Sequence, residues 1–217
     1  MLAVADLAQR RNEALSARTR AAILEATIAV IARHSLSGTT VQLVAEAAKV
    51  APGTVILHFQ KKDALLMAAL EKVAVEFEQA RRAALDQAGG DPVKALEAII
   101  DVNLDPKVSD PANVAVWYAF WGEARARKLY LERIGAYDTM SQESVDRFFK
   151  ELIAREESGG GKQRHLNAQA LALGFSGLLE WQWQEILVSG RAYDRVAAKR
   201  NARAYLASIF PDSFAPD

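Results

Sequence analysis

The sequence predicts an all-α protein of about nine helices with a helix-turn-helix near its N-terminus, and three observations carry that expectation. Apolar residues recur at intervals of three and four along most of the chain, and no run alternates with the period of two that a half-buried strand shows. Residues 37 to 60, SGTTVQLVAEAAKVAPGTVILHFQ, read as two short helices with a tight turn between them. Glycine and proline fall between the periodic runs, as in Gly89-Gly90-Asp91-Pro92, where they end one helix and begin the next.

Composition bounds the rest. At 217 residues, 51% hydrophobic and 25% charged, the chain is an ordinary soluble protein with room for one large or two modest domains. The absence of cysteine excludes disulfides and thiolate chemistry and fits a reducing compartment. MLAVADLAQRR has no basic n-region, and Asp6 interrupts an apolar run already too short for a signal peptide. No stretch approaches a membrane span, so a cytoplasmic location is expected. Net charge is zero overall, but residues 1 to 62 carry +4 and the remainder −4, as a DNA-facing end and a second, non-DNA end would.

Residues 1 to 17 read as a tail or a frayed helix, whose Arg10 and Arg11, with Arg18 and Arg20, either order on phosphates as an arm or stay solvated. Ile23, Thr27, Val30, Ile31 and His34 form one face of the first firm helix, with His34 placed to interact with its C-terminal dipole. Val41, Val44, Ala45 and Ala48 give the second helix, with Thr39 and Gln42 spaced as a capping box. Pro52 suits the first position of the third, and Val55 and Phe59 are its apolar edge. Helices this short are marginal alone and must pack on residues 19 to 34.

From Lys62 to about Ala88 the stripe Leu66, Leu70, Val73, Phe77, Ala80, Ala84 predicts a rod about 40 Å long. Leu96, Ile99, Ile100 and Asn103 share a face of the next helix, and a loop follows at Asp105 to Pro111. VAVWYAFWGEA places Trp117 and Trp121 on one face with Phe120. A long helix is expected from about Lys128 to Glu157, with Tyr130, Ile134, Tyr137, Val145, Phe148 and Leu152 inward, and then a flexible SGGGK loop at 158 to 162. Helices at 165 to 189 and 193 to 210 complete the chain, the first with Ala170, Leu171, Gly174, Phe175, Gly177, Leu178 and Trp181, the second with Val196, Ala197, Arg200, Ala204 and Ala207, and their small residues allow close helix approach while Arg200 and Arg203 are candidates to pair across an interface between copies.

A second helix entering the major groove by its N-terminal end is the helix-turn-helix mode, and eight residues span about 12 Å, close to the groove width. A helical hairpin of any all-α protein would show the same spacing. TTVQLVAEAAKVAPGTVILHFQKKDALL, however, resembles the DNA-binding domain of the tetracycline-repressor (TetR) family in its paired threonines, its A-x-x-A-x-V turn, its G-T and H-F bounding the third helix, and its D-x-L-L. The resemblance covers roughly residues 18 to 70 and implies that Thr40, Thr54, His58 and Lys62 meet phosphates or bases. The full candidate set for DNA is Thr40, Gln42, Lys49, Pro52, Gly53, Thr54, Leu57, His58 and Lys62. Lys49 stands where the family commonly has a turn glycine, Ala51 where it has a capping serine, and Ile56 and Leu57 where it has tyrosines.

All four tryptophans lie beyond residue 116, among Asp101, Glu123 and Glu180. Aromatics at helical spacing often form core, but an aromatic box beside carboxylates also holds a quaternary ammonium. The C-terminal half resembles the choline-responsive branch of the same family at Asn103 and Asp105, at Trp117 with Phe120 and Trp121, and at Gly174, Leu178, Glu180 and Trp183, with Trp181 replacing a common glycine. The candidate ligand set is therefore Asn103, Trp117, Phe120, Trp121, Glu180, Trp181 and Trp183. The resemblance implies a C-terminal domain for effector binding and dimerisation, four units (1 to 17, 18 to 62, 63 to 210 and 211 to 217), a homodimer through residues 165 to 210, and a repressor on a pseudo-palindromic operator. His34, His58 and His165 have no metal spacing and no phosphate loop is present, so neither enzyme, cofactor nor metal is expected. A helical interaction protein with a weakened DNA-binding domain, and a regulator of lipophilic or acyl ligands, are the alternatives.

Overall fold

The computed structural model describes residues 2 to 158 and 166 to 214, and its elements are helical throughout. They are α1 (Leu2–Gly38), α2 (Val41–Ala48), α3 (Pro52–Phe59), α4 (Lys62–Ala88), α5 (Pro92–Asn103), α6 (Pro111–Gly122), α7 (Ala124–Arg133), α8 (Gly135–Ser158), α9 (Ala168–Ser189) and α10 (Arg195–Ile209), with a 3-10 turn at Gly190–Ala192. The N-terminal residues expected as a tail or frayed helix continue α1 as helix, and residues 10 to 18 are exposed. The expected loop lies outside the described residues from 159 onward, as does His165.

Two hydrophobic clusters organise the molecule. The first joins α1, α2, α3 and the first half of α4 through Ile23, Ile31, Val44, Val55, Phe59, Leu66 and Leu70, and it also takes in Trp117 and Phe120 of α6 and Tyr130 of α7. The second joins the end of α4 to α5, α8, α9 and α10 through Ala88, Leu96, Phe149, Phe175 and Leu206. Trp183 packs against both. The apolar stripe of α4 thus serves the first cluster early and the second late. Phe214 is buried in the second, so the segment expected as a C-terminal tail is anchored at its start.

Several expectations are corrected. The cap of α2 is Thr40, whose hydroxyl accepts from the Leu43 N–H at 3.2 Å. Thr39 is buried and donates to the Ser35 carbonyl at 2.6 Å, so Gln42 has no capping-box role. The long helix expected at 128 to 157 is the end of α7 and α8, because the helix breaks at Ile134, ahead of Gly135, and α7 is itself set off from α6 by the extended Glu123.

The last two helices each bury one face within the chain. α9 buries Ala172, Phe175, Leu179, Gln182 and Ile186, and α10 buries Ala198, Ala202 and Leu206. Gly174, Gly177, Trp181 and Val196 are exposed. α9 is apolar around most of its circumference, so its periodicity selects no single face. Gly174 has a steric reason of its own, since a Cβ there would lie 2.9 Å from the Tyr205 hydroxyl of α10. Arg203, expected at an interface between copies, pairs within the chain with Asp101 at 3.2 Å, as Lys199 does at 2.9 Å.

Candidate DNA-facing surface and ligand cavity

At the N-terminal end the three non-glycine residues with positive φ, Ser35, Lys49 and Gln60, bracket α2 and α3 among the described residues. Lys49 is left-handed at φ 57°, ψ 43°, and its N–H closes the turn on the Ala45 and Glu46 carbonyls. A side chain in that region costs about 1 to 2 kcal/mol, so the turn is held in place by its surroundings: Val44, Val55 and Phe59 are buried beneath it.

α3 starts at Pro52, with Ala51 contributing no side-chain cap. Its inward edge is Val55 and Phe59, and Arg20 of α1 sits over the Phe59 ring at 4.8 Å. Pro52, Gly53 and Ile56 are exposed, Thr54 and His58 half-buried, and Leu57 is 80% exposed. Gln42 and Lys49 are exposed on the neighbouring helix and turn. Lys62 donates to the Ser37 carbonyl at 3.1 Å, which fixes the start of α4 to the end of α1. An added Cβ at Gly53 would have no neighbour within 4 Å, so nothing in the protein itself requires glycine there.

A cavity of about 660 Å³ opens between α4, α5, α6, α7, α8 and α9. Phe77, Trp117, Trp121, Tyr130 and Trp183 form its aromatic wall. Trp117 has its centroid 6.3 Å from Phe77, 5.8 Å from Tyr130 and 6.1 Å from Trp183, while Trp121 stacks on Tyr130 at 5.3 Å. The Trp183 indole N–H donates to the Asn103 carbonyl at 2.9 Å, which sets that ring against α5. Arg127 holds Trp121 from outside, donating to its carbonyl at 2.8 Å with the guanidinium 5.6 Å from the ring.

The charged groups on the lining are Glu143, Glu180 and Arg81. Tyr118 donates to the Glu180 carbonyl at 3.3 Å, and burial, followed by the Glu180 charge, raises its hydroxyl pKa above the ordinary value. Of the residues expected at a ligand, the cavity brings together Asn103, Trp117, Trp121, Glu180 and Trp183. Phe120 lies in the first hydrophobic cluster beside a smaller hollow of about 200 Å³, and Trp181 is 57% exposed on the far face of α9. Asp101 and Glu123, expected beside the aromatics, lie elsewhere. Phe77, Arg81, Tyr130 and Glu143 were not among the expected ligand residues. Phe77 and Arg81 are four apart on α4, and that spacing was the available signal. Among the described residues no cluster of three or more acidic or histidine side chains is placed to hold a metal.

A helix-turn-helix joined by a rod to a helical domain with an aromatic cavity defines a class: the DNA-binding regulators that sense small molecules. Residues 23–69 match the family described as bacterial regulatory proteins, tetR family, and residues 92–211 match the BetI-type transcriptional repressor, C-terminal domain. The chain belongs to the TetR family of transcriptional regulators and carries a BetI-type C-terminal domain. It is similar to the HTH-type transcriptional regulator BetI of Paraburkholderia xenovorans (strain LB400), at 29% identity over 187 residues, 86% of this chain and 91% of that protein. Among solved structures, a protein from Saccharomonospora viridis in complex with choline shares its fold at 19% identity and TM-score 0.64, over 88% of this chain and 96% of that one. NalD, the secondary repressor of the MexAB-OprM multidrug efflux pump in Pseudomonas aeruginosa, does so at 21% and 0.64, over 88% and 96%. No helix among the described residues is long and apolar enough to cross a membrane.

Proposed function

We propose that the chain binds a two-fold-related operator as a homodimer and is released by a quaternary ammonium ligand in the cavity. The observation that carries the ligand class is the aromatic wall, in which Phe77, Tyr130 and Trp183 lie within 6.3 Å of Trp117 and Trp121 stacks on Tyr130, with Glu143 and Glu180 also on the lining. Each ring facing a desolvated cation contributes about 0.5 to 2 kcal/mol, and a methylated ammonium also needs the apolar surface the indoles present. Residues 18 to 62 would serve DNA and residues 63 to 210 the effector and the partner subunit, with the candidate DNA set on α2, α3 and the start of α4.

The route from cavity to DNA runs through two helices. α4 carries Phe77 on the cavity wall, and its first residue is tied to the helix-turn-helix through Lys62 and Ser37. α6 carries Trp117 and Trp121 into the cavity while Trp117 and Phe120 pack in the cluster that holds α1 to α3. A ligand that favours one position of these rings favours one tilt of the DNA-binding unit, and two half-sites then lose their spacing. Such coupling amounts to about 1 to 3 kcal/mol, and it exists only if the ligand binds the two states unequally.

One observation favours a different ligand: about 660 Å³ is more than a small cation fills, which suits a lipophilic or acyl compound. Tryptophan fluorescence separates the two. Saturable change with choline or glycine betaine and none with the uncharged carbon isostere of choline is expected. A response to apolar compounds alone would overturn the quaternary ammonium reading.

A further inference from the structure

Arg81 is the one cationic side chain on the described lining of the cavity, and it is only 6% exposed. Its Nε donates to Glu78 at 2.9 Å and its Nη2 reaches the other oxygen of the same carboxylate at 3.5 Å. Its Nη1 is buried and has no hydrogen-bond partner among the described residues. A buried charged donor left without an acceptor is costly, and such groups are nearly always satisfied. Glu78 does not neutralise the site fully, because Arg82 also approaches it at 3.7 Å, so two guanidinium groups share one carboxylate.

Arg81 lies four residues beyond Phe77, one turn and about 6 Å further along α4, on the side that faces the cavity. The cavity therefore has a cation-attracting aromatic wall and, a turn away, a buried guanidinium that shares its one carboxylate with Arg82 and whose Nη1 is unpaired among the described residues. A bare cation satisfies only the first. Resting on the quaternary ammonium reading, we propose that the ligand also carries a carboxylate, which Arg81 receives while the aromatic wall takes the methylated ammonium: a betaine-type zwitterion rather than an amino alcohol. Glu78 is then a positioning residue, holding the guanidinium by two of its nitrogens so that the third is left for the ligand.

The test is calorimetric titration of the full chain and of Arg81→Gln and Glu78→Gln with glycine betaine and with choline, which differ in carboxylate against hydroxyl. The wild type is expected to bind glycine betaine at least tenfold more tightly than choline. That ratio should collapse to within threefold in Arg81→Gln and rise in Glu78→Gln, where the guanidinium loses its internal partner. A purely structural ion pair would weaken both ligands together in both variants. If Arg81→Gln does not melt cooperatively, the opposite shift in Glu78→Gln decides alone. Choline binding as tightly as glycine betaine, or a ratio untouched by either substitution, overturns the carboxylate subsite and leaves the quaternary ammonium reading standing. Failure of both ligands to bind overturns that reading, and this inference with it.

Discussion

Lys49 is the residue where the sequence departs most visibly from what its backbone position favours. Its backbone is left-handed, at φ 57°, and the resemblance to the TetR family implies a glycine at this turn. Lys49→Gly should raise stability in chemical denaturation by about 0.5 to 1 kcal/mol, the strain relieved less the greater chain entropy of glycine. If Lys49 meets a phosphate, the same change should lower the salt dependence of operator binding by about one unit of slope, so one substitution would strengthen the fold while weakening DNA binding. Asp91 tests a different kind of residue. Its carboxylate accepts the Lys94 N–H at 3.0 Å and pairs with Arg155 at 3.1 Å, which hold its pKa below the ordinary 3.8. A carboxylate lowered by folding stabilises fully above its unfolded pKa and loses that contribution as pH falls through the folded one. Melting temperatures between about pH 5 and pH 2 should therefore fall more steeply for the wild type than for Asp91→Asn, which keeps a cap acceptor but does not titrate.

Elements differ in how legibly the sequence wrote them. α2, α3 and α4 were readable to within a residue, because Pro52 at a first helical turn, the Val55 and Phe59 edge and Gly89 at a left-handed stop are local signals. The cap of α2 was misread by one position, since Thr39 and Thr40 are equally plausible acceptors until Ser35 turns and draws Thr39 inward. α9 is legible as a helix but not in its rotation, for its apolar residues surround it and only tertiary contact buries Phe175 and Ile186 while Trp181 and Val188 stay exposed. The cavity was legible in its tryptophans on α6 and in Trp183, whereas its other wall depends on how α4 lies against α6. That is long-range packing, and it is why Phe77 and Arg81 were found only in three dimensions.

The whole molecule leaves a broad apolar face on its last two helices, with Leu173 at 70%, Val188 at 83% and Val196 at 76% exposure beside Trp181. Single exposed apolar residues are ordinary, but several along one pair of helices suit an interface between copies. Leu173→Glu with Val188→Lys should convert a dimer to a monomer by light scattering, leave helix content unchanged, and weaken operator binding sharply, because one short recognition helix reads few base pairs. A wild type that is already monomeric would contradict the two-fold arrangement. The claim at the centre of the account is that the cavity and the DNA-facing surface are coupled through α4 and α6. The direct measurement is the affinity of the protein for a duplex selected from a random pool, with and without a saturating quaternary ammonium ligand. A fall of about 5- to 150-fold is predicted. Unchanged operator affinity while that ligand is demonstrably bound would contradict it.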